Sequence, residues 1–208
     1  RNAVEKGLFK WARPGKPHVG LREFRDDPVS HPLNTPSGKI EIFSLRLWDM
    51  AQTWELPEGD VITALPEYHS TWGDPEAAQI PSYPLQCVGH HYKQRTHSSY
   101  ANNPWLEEAA PQMAWMNALD ARQRGIHHGD RVRIFNQFGQ TLVRAKVTPR
   151  IMPGVLSLPQ GAWHHAAPDG GDQNGCINVL TSQRPSPVAK GNPQHTNLVQ
   201  AEKAGEEQ

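Results

Sequence analysis

Apolar and polar positions alternate most regularly in the second half of the chain. In Pro84-Leu85-Gln86-Cys87-Val88-Gly89 the residues Leu85, Cys87 and Gly89 share one face, as in a strand that runs into a loop. Asn117 stands where an N-cap belongs, ahead of a short helix from Ala118 to Arg124. Gly125 ends that helix with the residue that tolerates positive φ. A Gly129-Asp130 turn then feeds a strand from Arg131 to Asn136, and Phe138-Gly139-Gln140 turns the chain back into a partner strand from Thr141 to Val147. The Pro153-Gly154 turn leads into a further strand, Val155 to Leu158. Strands with one apolar face each must close over a shared core, most simply as a barrel with few free edges.

The first 80 residues are patterned differently. Pro14, Pro17, Pro28, Pro32 and Pro36 are spaced too closely for regular structure, so residues 1–37 read as a connecting arm. Gly38 to Ser44 alternates, with Ile40 and Ile42 on one face, and predicts a half-buried strand. Residues 45–82 mix short helical patterns with Pro57, Pro66, Pro75 and Pro81 and read as irregular. The expected organisation is an arm over 1–37, a barrel domain over 38–203 and a charged tail over 204–208.

Composition narrows the classes. Gly and Pro number 17 and 19 and hydrophobic residues make up 37%, which suits a loop-rich β-domain better than a helix bundle. Lys plus Arg and Asp plus Glu are both 21, so no global field draws nucleic acid or an anionic membrane. No apolar run approaches the ~20 residues that span a bilayer. The chain opens at Arg1 and reads as a fragment of a longer protein. Cys87 and Cys176 stand alone, which supports neither a disulfide framework nor a zinc site. The His90-His91 and His164-His165 pairs fit no compact zinc pattern, and no Gly-x-Ser-x-Gly elbow, phosphate-loop lysine or Gly-x-Gly-x-x-Gly is present. The seven Trp residues suit packing better than base stacking.

The order Leu119-Asp120-Ala121, Gly125-Ile126, Gly129-Asp130, Val132 to Val147 and Pro153-Gly154 resembles the C-terminal double-psi β-barrel of molybdopterin oxidoreductases. Two flanking segments sharpen the likeness. His91-Tyr92-Lys93-Gln94-Arg95-Thr96-His97-Ser98 is similar to the family's loop after the first barrel strand. Gly175 to Thr181, with Pro185-Ser186-Pro187 and Gly191 to Val199, is similar to its closing segment. With Gly38-Lys39-Ile40-Glu41, these resemble the anaerobic dimethyl sulfoxide reductase type most nearly. The resemblance implies a mainly β fold with short helices, the double-psi barrel of the aspartate-decarboxylase-like type.

It also implies a ligand: one molybdopterin guanine dinucleotide of a bis-pterin molybdenum cofactor. Such a ligand calls for cations at its pyrophosphate and amide side chains at its heterocycle edges. Charge concentrates at His90, His91, Lys93, Arg95 and His97, with hydroxyls at Thr96, Ser98 and Ser99. Amides cluster at Asn178, Asn192, Gln194 and Asn197. The resemblance assigns the cofactor-binding role to His91, Tyr92, Arg95, Thr96, His97, Ser98, Asn178, Gln194, His195, Thr196 and Asn197. Which of them meets pterin, phosphate or guanine stays open. No catalytic residue or metal ligand is expected in this chain. The molybdenum ligand and the iron–sulfur cluster belong to upstream domains, so the chain alone is expected to lack reductase activity. Dimethyl sulfoxide, other S- or N-oxides and selenate are the substrates implied. The implied partners are an iron–sulfur subunit and a membrane anchor, at the periplasmic side of the inner membrane. The competing classes are a protein-interaction adaptor built on the same barrel and a self-processing decarboxylase. The second needs a Gly-Ser cleavage step, which the sequence lacks.

Overall fold

A computed structural model describes residues 15, 17–69, 82–193 and 195–205. Six strands close into a barrel: β1 (Leu85–Val88), β2 (Met113–Met116), β3 (Arg131–Phe135), β4 (Gln140–Val147), β5 (Val155–Ser157) and β6 (Asn197–Lys203). Their order around the barrel is β1-β5-β2-β4-β3-β6. In β1, β2 and β3 the residues alternate between the interior and the outer wall, as period-2 side chains must. Leu85, Met116, Val132, Ile134, Leu156 and Val199 fill the interior, each under 2% exposed. Truncating a core side chain of this size costs about 2–5 kcal/mol.

The pairing directions give the barrel two chemically different ends. β1 runs parallel to β5, and β2 parallel to β4; the remaining four pairings are antiparallel. Hence β1, β3 and β5 finish at one end, where β2, β4 and β6 begin. That end gathers the segment after β1, the residue before β2, the β3–β4 turn, the segment after β5 and the approach to β6. The helix Ala118–Gln123 lies at the opposite end. It is capped by the Asn117 side chain accepting from the Leu119 N–H, and Gly125 follows it at φ 64°.

The sequence expectations for 84–89, 118–124, 131–136, 141–147 and 155–158 hold to within about one residue. Others are corrected. Gly38–Ser44 forms bends, not a strand, and Ile40 and Ile42 are 69% and 73% exposed. Alternation makes a strand only where a partner strand exists, and here the backbone bonds go to loop residues, the Gly38 N–H to the Thr35 carbonyl and the Ser44 N–H to the Ala64 carbonyl. Residues 45–53, expected to be irregular, form a helix capped by the Ser44 hydroxyl, which accepts from the Leu47 N–H. Within the arm, Arg22–Asp26 forms a short helix despite the flanking prolines. β2 and β6 were not anticipated. β2 is four residues long, too short for a period to declare itself, and β6 ends in charged residues that read as tail. The Gly175–Thr181 run, strand-like in pattern, contains a 3-10 helix at Ile177–Leu180. Residues 1–14, Lys16, residues 70–81, Gln194 and residues 206–208 lie outside the described residues.

One buried carboxylate fastens the loop that precedes this 3-10 helix. Asp172, 1% exposed, accepts from the Thr141 hydroxyl at 2.5 Å and from the backbone N–H of Cys176, His165 and Asn174 at 2.7, 2.8 and 3.1 Å. Burial disfavours its charge, but the four donors outweigh burial and hold its pKa below the ordinary 3.8. A depressed folded-state pKa contributes stability that is complete above the unfolded value and lost as pH falls through the folded one. Urea midpoints of the wild type are therefore expected to drop below about pH 4. Asp172→Asn should cost about 2–3 kcal/mol at neutral pH and flatten that acid limb; an unaltered limb would assign it to other groups. Cys87 is fully buried, and burial pushes its thiol up to about 12. Cys176, also buried, is raised as well. Iodoacetamide at pH 8 should label neither in the folded chain and both in denaturant, scored by mass; rapid labelling of native protein would contradict this burial.

Candidate cofactor site

Four segments meet at the end of the barrel where β1 and β5 finish. The chain leaving β1 keeps company with the chain leaving β5: the Leu158 N–H bonds to the Val88 carbonyl and the Gln160 N–H to the His90 carbonyl. The approach to β6 joins them through His195, whose Nδ1 accepts the Gly89 N–H at 3.2 Å, while its carbonyl receives the Gln86 side-chain amide. The 3-10 helix closes the fourth side. Ile177 Cδ1 would lie 3.1 Å from a Cβ at Gly89.

The loop after β1 is tightly wound. Tyr92 and Arg95 close one turn, Thr96 and Ser99 another, and His97 and Tyr100 both take left-handed backbone, at φ 54° and 70°. Such conformations in non-glycine residues cost of order 1–3 kcal/mol and persist only where packing enforces them. The enforcing contact is Gly161, where an added Cβ would fall 1.7 Å from the His97 carbonyl oxygen. Nearby, the Trp163 indole N–H donates to the Ser98 carbonyl at 2.9 Å, and Gln160 Nε2 lies 3.5 Å from His97 Nδ1.

The expected site residues divide by placement. His91, Thr96, His97 and Ser98 are exposed on the rim, with the His91 and His97 rings 5.1 Å apart. Asn178, on the 3-10 helix, and His195 are also exposed, and Thr196 is partly so. Tyr92 and Arg95 turn inward. The Tyr92 hydroxyl donates to the Pro111 carbonyl and the Arg95 guanidinium to the Gln112 side-chain oxygen. Burial, more than the opposing Arg95 charge, raises the Tyr92 pKa. Asn197 is buried within β6, opposite Cys87. Sequence reasoning did not single out Gln112, Gln160, Gly161 or the role of Trp163. The one available signal was that Gln160 and Gly161 follow a strand directly, as His90 and His91 do.

The electrostatic character is one-sided. Residues 89–98, 157–163, 175–181 and 191–199 contain no Asp or Glu. His90 makes a 2.6 Å hydrogen bond through Nδ1 with the Ser157 hydroxyl and sets its ring edge-on to Trp115. Burial, then the charges of Arg95 and Lys146, lower its pKa. Three buried polar atoms, His90 Nε2, Gln94 Oε1 and Arg95 Nε, have no hydrogen-bond partner among the described residues, and all belong to this loop. Buried polar groups are ordinarily paired, so their clustering marks a region whose complement is incomplete in the chain alone. No three His, Cys, Asp or Glu side chains converge as a metal-ligand group among the described residues.

Gly161→Ala tests the enforced loop, because it adds both the clash with His97 and a strained positive φ of 89°. It should destabilise the chain by about 2–3 kcal/mol in urea unfolding, and an unchanged midpoint would place the His97 carbonyl elsewhere.

Comparison with known proteins matches the sequence to a family. The model described as "Molydopterin dinucleotide binding domain" matches residues 85–198. Dimethyl sulfoxide reductase DmsA of Escherichia coli is 56% identical over 199 residues, 96% of this chain and 24% of the relative. Trimethylamine-N-oxide reductase of Haemophilus influenzae is 37% identical over 206 residues, 93% of this chain and 23% of the relative. The chain thus spans about a quarter of the length of these relatives. Among solved structures, acetylene hydratase from Pelobacter acetylenicus superposes with a TM-score of 0.66 at 21% identity, over 86% of this chain and 25% of that one, which shows a shared fold. The family match runs from the first residue of β1 to the second of β6, and the chain belongs to the molybdopterin dinucleotide binding domain family.

Proposed function

We propose that this chain holds one molybdopterin guanine dinucleotide of a bis-pterin molybdenum cofactor, as a domain of a reductase of the dimethyl sulfoxide type. The observation that carries the reading is the acid-free rim: four converging segments offer imidazoles, hydroxyls and amides, and none offers a carboxylate. A diphosphate would be repelled by carboxylates at such range and is received by donors. The residues present fit that group. His91, Thr96, His97 and Ser98 offer donors from one side of the rim, and Asn178 and His195 from the other. The buried unpaired atoms of His90, Gln94 and Arg95 belong to the same loop as the first four.

When bound, the molybdenum cofactor supplies oxygen-atom transfer and two-electron redox chemistry. The residues of this chain bind, orient and exclude water; the protein tunes the cofactor and does not perform its chemistry. An S- or N-oxide is the substrate class favoured, supported by the names of the relatives at 56% and 37% identity. Upstream domains of the same polypeptide, an iron–sulfur subunit and a membrane anchor are the partners proposed. A periplasmic position on the inner membrane rests on the family resemblance alone.

GDP is a stable mimic of half the ligand. Calorimetric titration of the 208-residue chain with GDP should show saturable binding. His97→Ala should weaken it about tenfold, or ~1.4 kcal/mol, while Arg133→Met on the outer barrel wall leaves it unchanged. Equal loss in both variants, or binding insensitive to His97, would remove the rim from the site.

A further inference from the structure

We propose that Gln112 is the positioning residue of this site, and that Arg95 acts through Gln112 rather than by touching the ligand's phosphates. The inference rests on the dinucleotide reading above and assigns roles within it. Gln112 immediately precedes β2, so the barrel's strand directions deliver it to the end where β1 and β5 finish. It is 6% exposed. Its side-chain oxygen accepts from Arg95 Nη2 at 2.5 Å, and its amide nitrogen donates to the carbonyls of Pro159 and Gly175 at 2.8 and 3.0 Å. One planar group therefore ties together three segments that are distant in sequence. Arg95 belongs to the loop carrying His91 to Ser98. Pro159 immediately precedes Gln160 and Gly161, which brace His97. Gly175 leads into the 3-10 helix that carries Asn178.

The fit is close. A Cβ at Gly175, where φ is 69°, would lie 3.0 Å from Gln112 Cγ, so glycine is what lets that carbonyl approach. The backbone N–H of Gln112 is taken by the Glu107 carboxylate at 2.9 Å, which fixes the residue from outside the cluster. Both amide protons and the carbonyl oxygen are used, and the alternatives fail one bond or more. Glutamate would face two carbonyls with an acceptor, and methionine would leave all three partners bare.

The same geometry takes Arg95 away from the open rim. Its guanidinium is held against Gln112, lies 5.1 Å from the Tyr92 ring, and shares its surroundings with Glu107, whose charge favours the cationic form. Burial pulls the other way, lowering its pKa, as expected of a group tucked behind the loop. An arginine so engaged sets the shape of the loop whose exposed side chains meet the ligand.

The test compares two probes, GDP and guanosine, on the 208-residue chain and on Arg95→Met, Gln112→Glu and Gln112→Met. A residue that touches phosphate matters to GDP alone. A residue that shapes the cradle matters to both. Each variant is expected to weaken GDP and guanosine by the same factor, about tenfold, at temperatures where circular dichroism shows it folded. Loss confined to GDP in Arg95→Met would put Arg95 on the phosphate and overturn the proposal, as would unchanged affinity in both Gln112 variants. Hydrogen exchange gives a readout independent of any ligand. In folded Gln112→Glu, residues 96–98, 160–161 and 176–178 should lose protection together while Val132 and Ile134 keep theirs. Loss in one segment only would overturn the hub. If wild type binds neither probe, the dinucleotide reading fails and the exchange result still decides whether Gln112 couples the three segments. Should Gln112→Glu not fold, Gln112→Met carries both measurements, since it removes all three bonds. Arg95→Met, which removes one branch and leaves the two carbonyl bonds in place, should lose protection at residues 96–98 alone, and loss in all three segments there would overturn the proposal.

Discussion

The parallel pairing of β1 with β5 is the constraint on which the rest depends. Two parallel neighbours release their chains at the same end of the barrel, and the antiparallel neighbours β2 and β6 must begin there. Everything polar that matters then arrives by topology: the loop after β1, Gln112 before β2, Gln160 and Gly161 after β5, His195 before β6. An antiparallel β1–β5 pair would have sent the loop after β1 and His195 to one end, and Gln112, Gln160 and Gly161 to the other. The mixed barrel thus does for the site what no local motif could, since its members are drawn from positions more than 100 residues apart.

Given that convergence, the end of the barrel is shaped by a few tight contacts. Gly161 against the His97 carbonyl holds a strained loop. Asp172 gathers a hydroxyl and three backbone N–H groups, so that the chain before the 3-10 helix is anchored to β4. Asn136, in the β3–β4 turn, donates to the carbonyls of Leu180 and Leu198 and so binds that turn to both the helix and β6. These are buried polar groups with their bonding satisfied, which rigidify a cradle in a way apolar packing alone does not. The exceptions, His90, Gln94 and Arg95, fall within six residues of the chain that leaves β1. Order around the site and incompleteness within it occupy adjacent residues, as expected where a ligand or a neighbouring domain completes the structure.

The chain spans a quarter of relatives that are named as reductases, and its exposed apolar residues concentrate before the barrel, at Ile40, Ile42, Phe43, Leu45 and Trp48. The barrel wall is ordinary by comparison. The segments that meet at the end of the barrel carry no acidic side chain, although Asp and Glu match Lys and Arg over the whole chain.

What the sequence determined by itself was local or compositional. The Asn117 cap, the Gly125 stop, the β3–β4 hairpin and the strand faces of 85–89 and 155–158 follow from propensity and period, because each is decided by neighbours in the chain. The family, too, was legible, since its segments keep their order and spacing from β1 to the closing run. The tertiary structure decided the rest. Alternation at Gly38–Ser44 met no partner strand and so made none, and Met113–Met116 became a strand only because β4 and β5 flank it. Arg95 read as a rim cation, yet its partner Gln112 lies in another segment and turns it inward. Gln112 itself carried no signal, for a glutamine's role depends on which three chains surround its amide, and only the closed barrel brings those chains together.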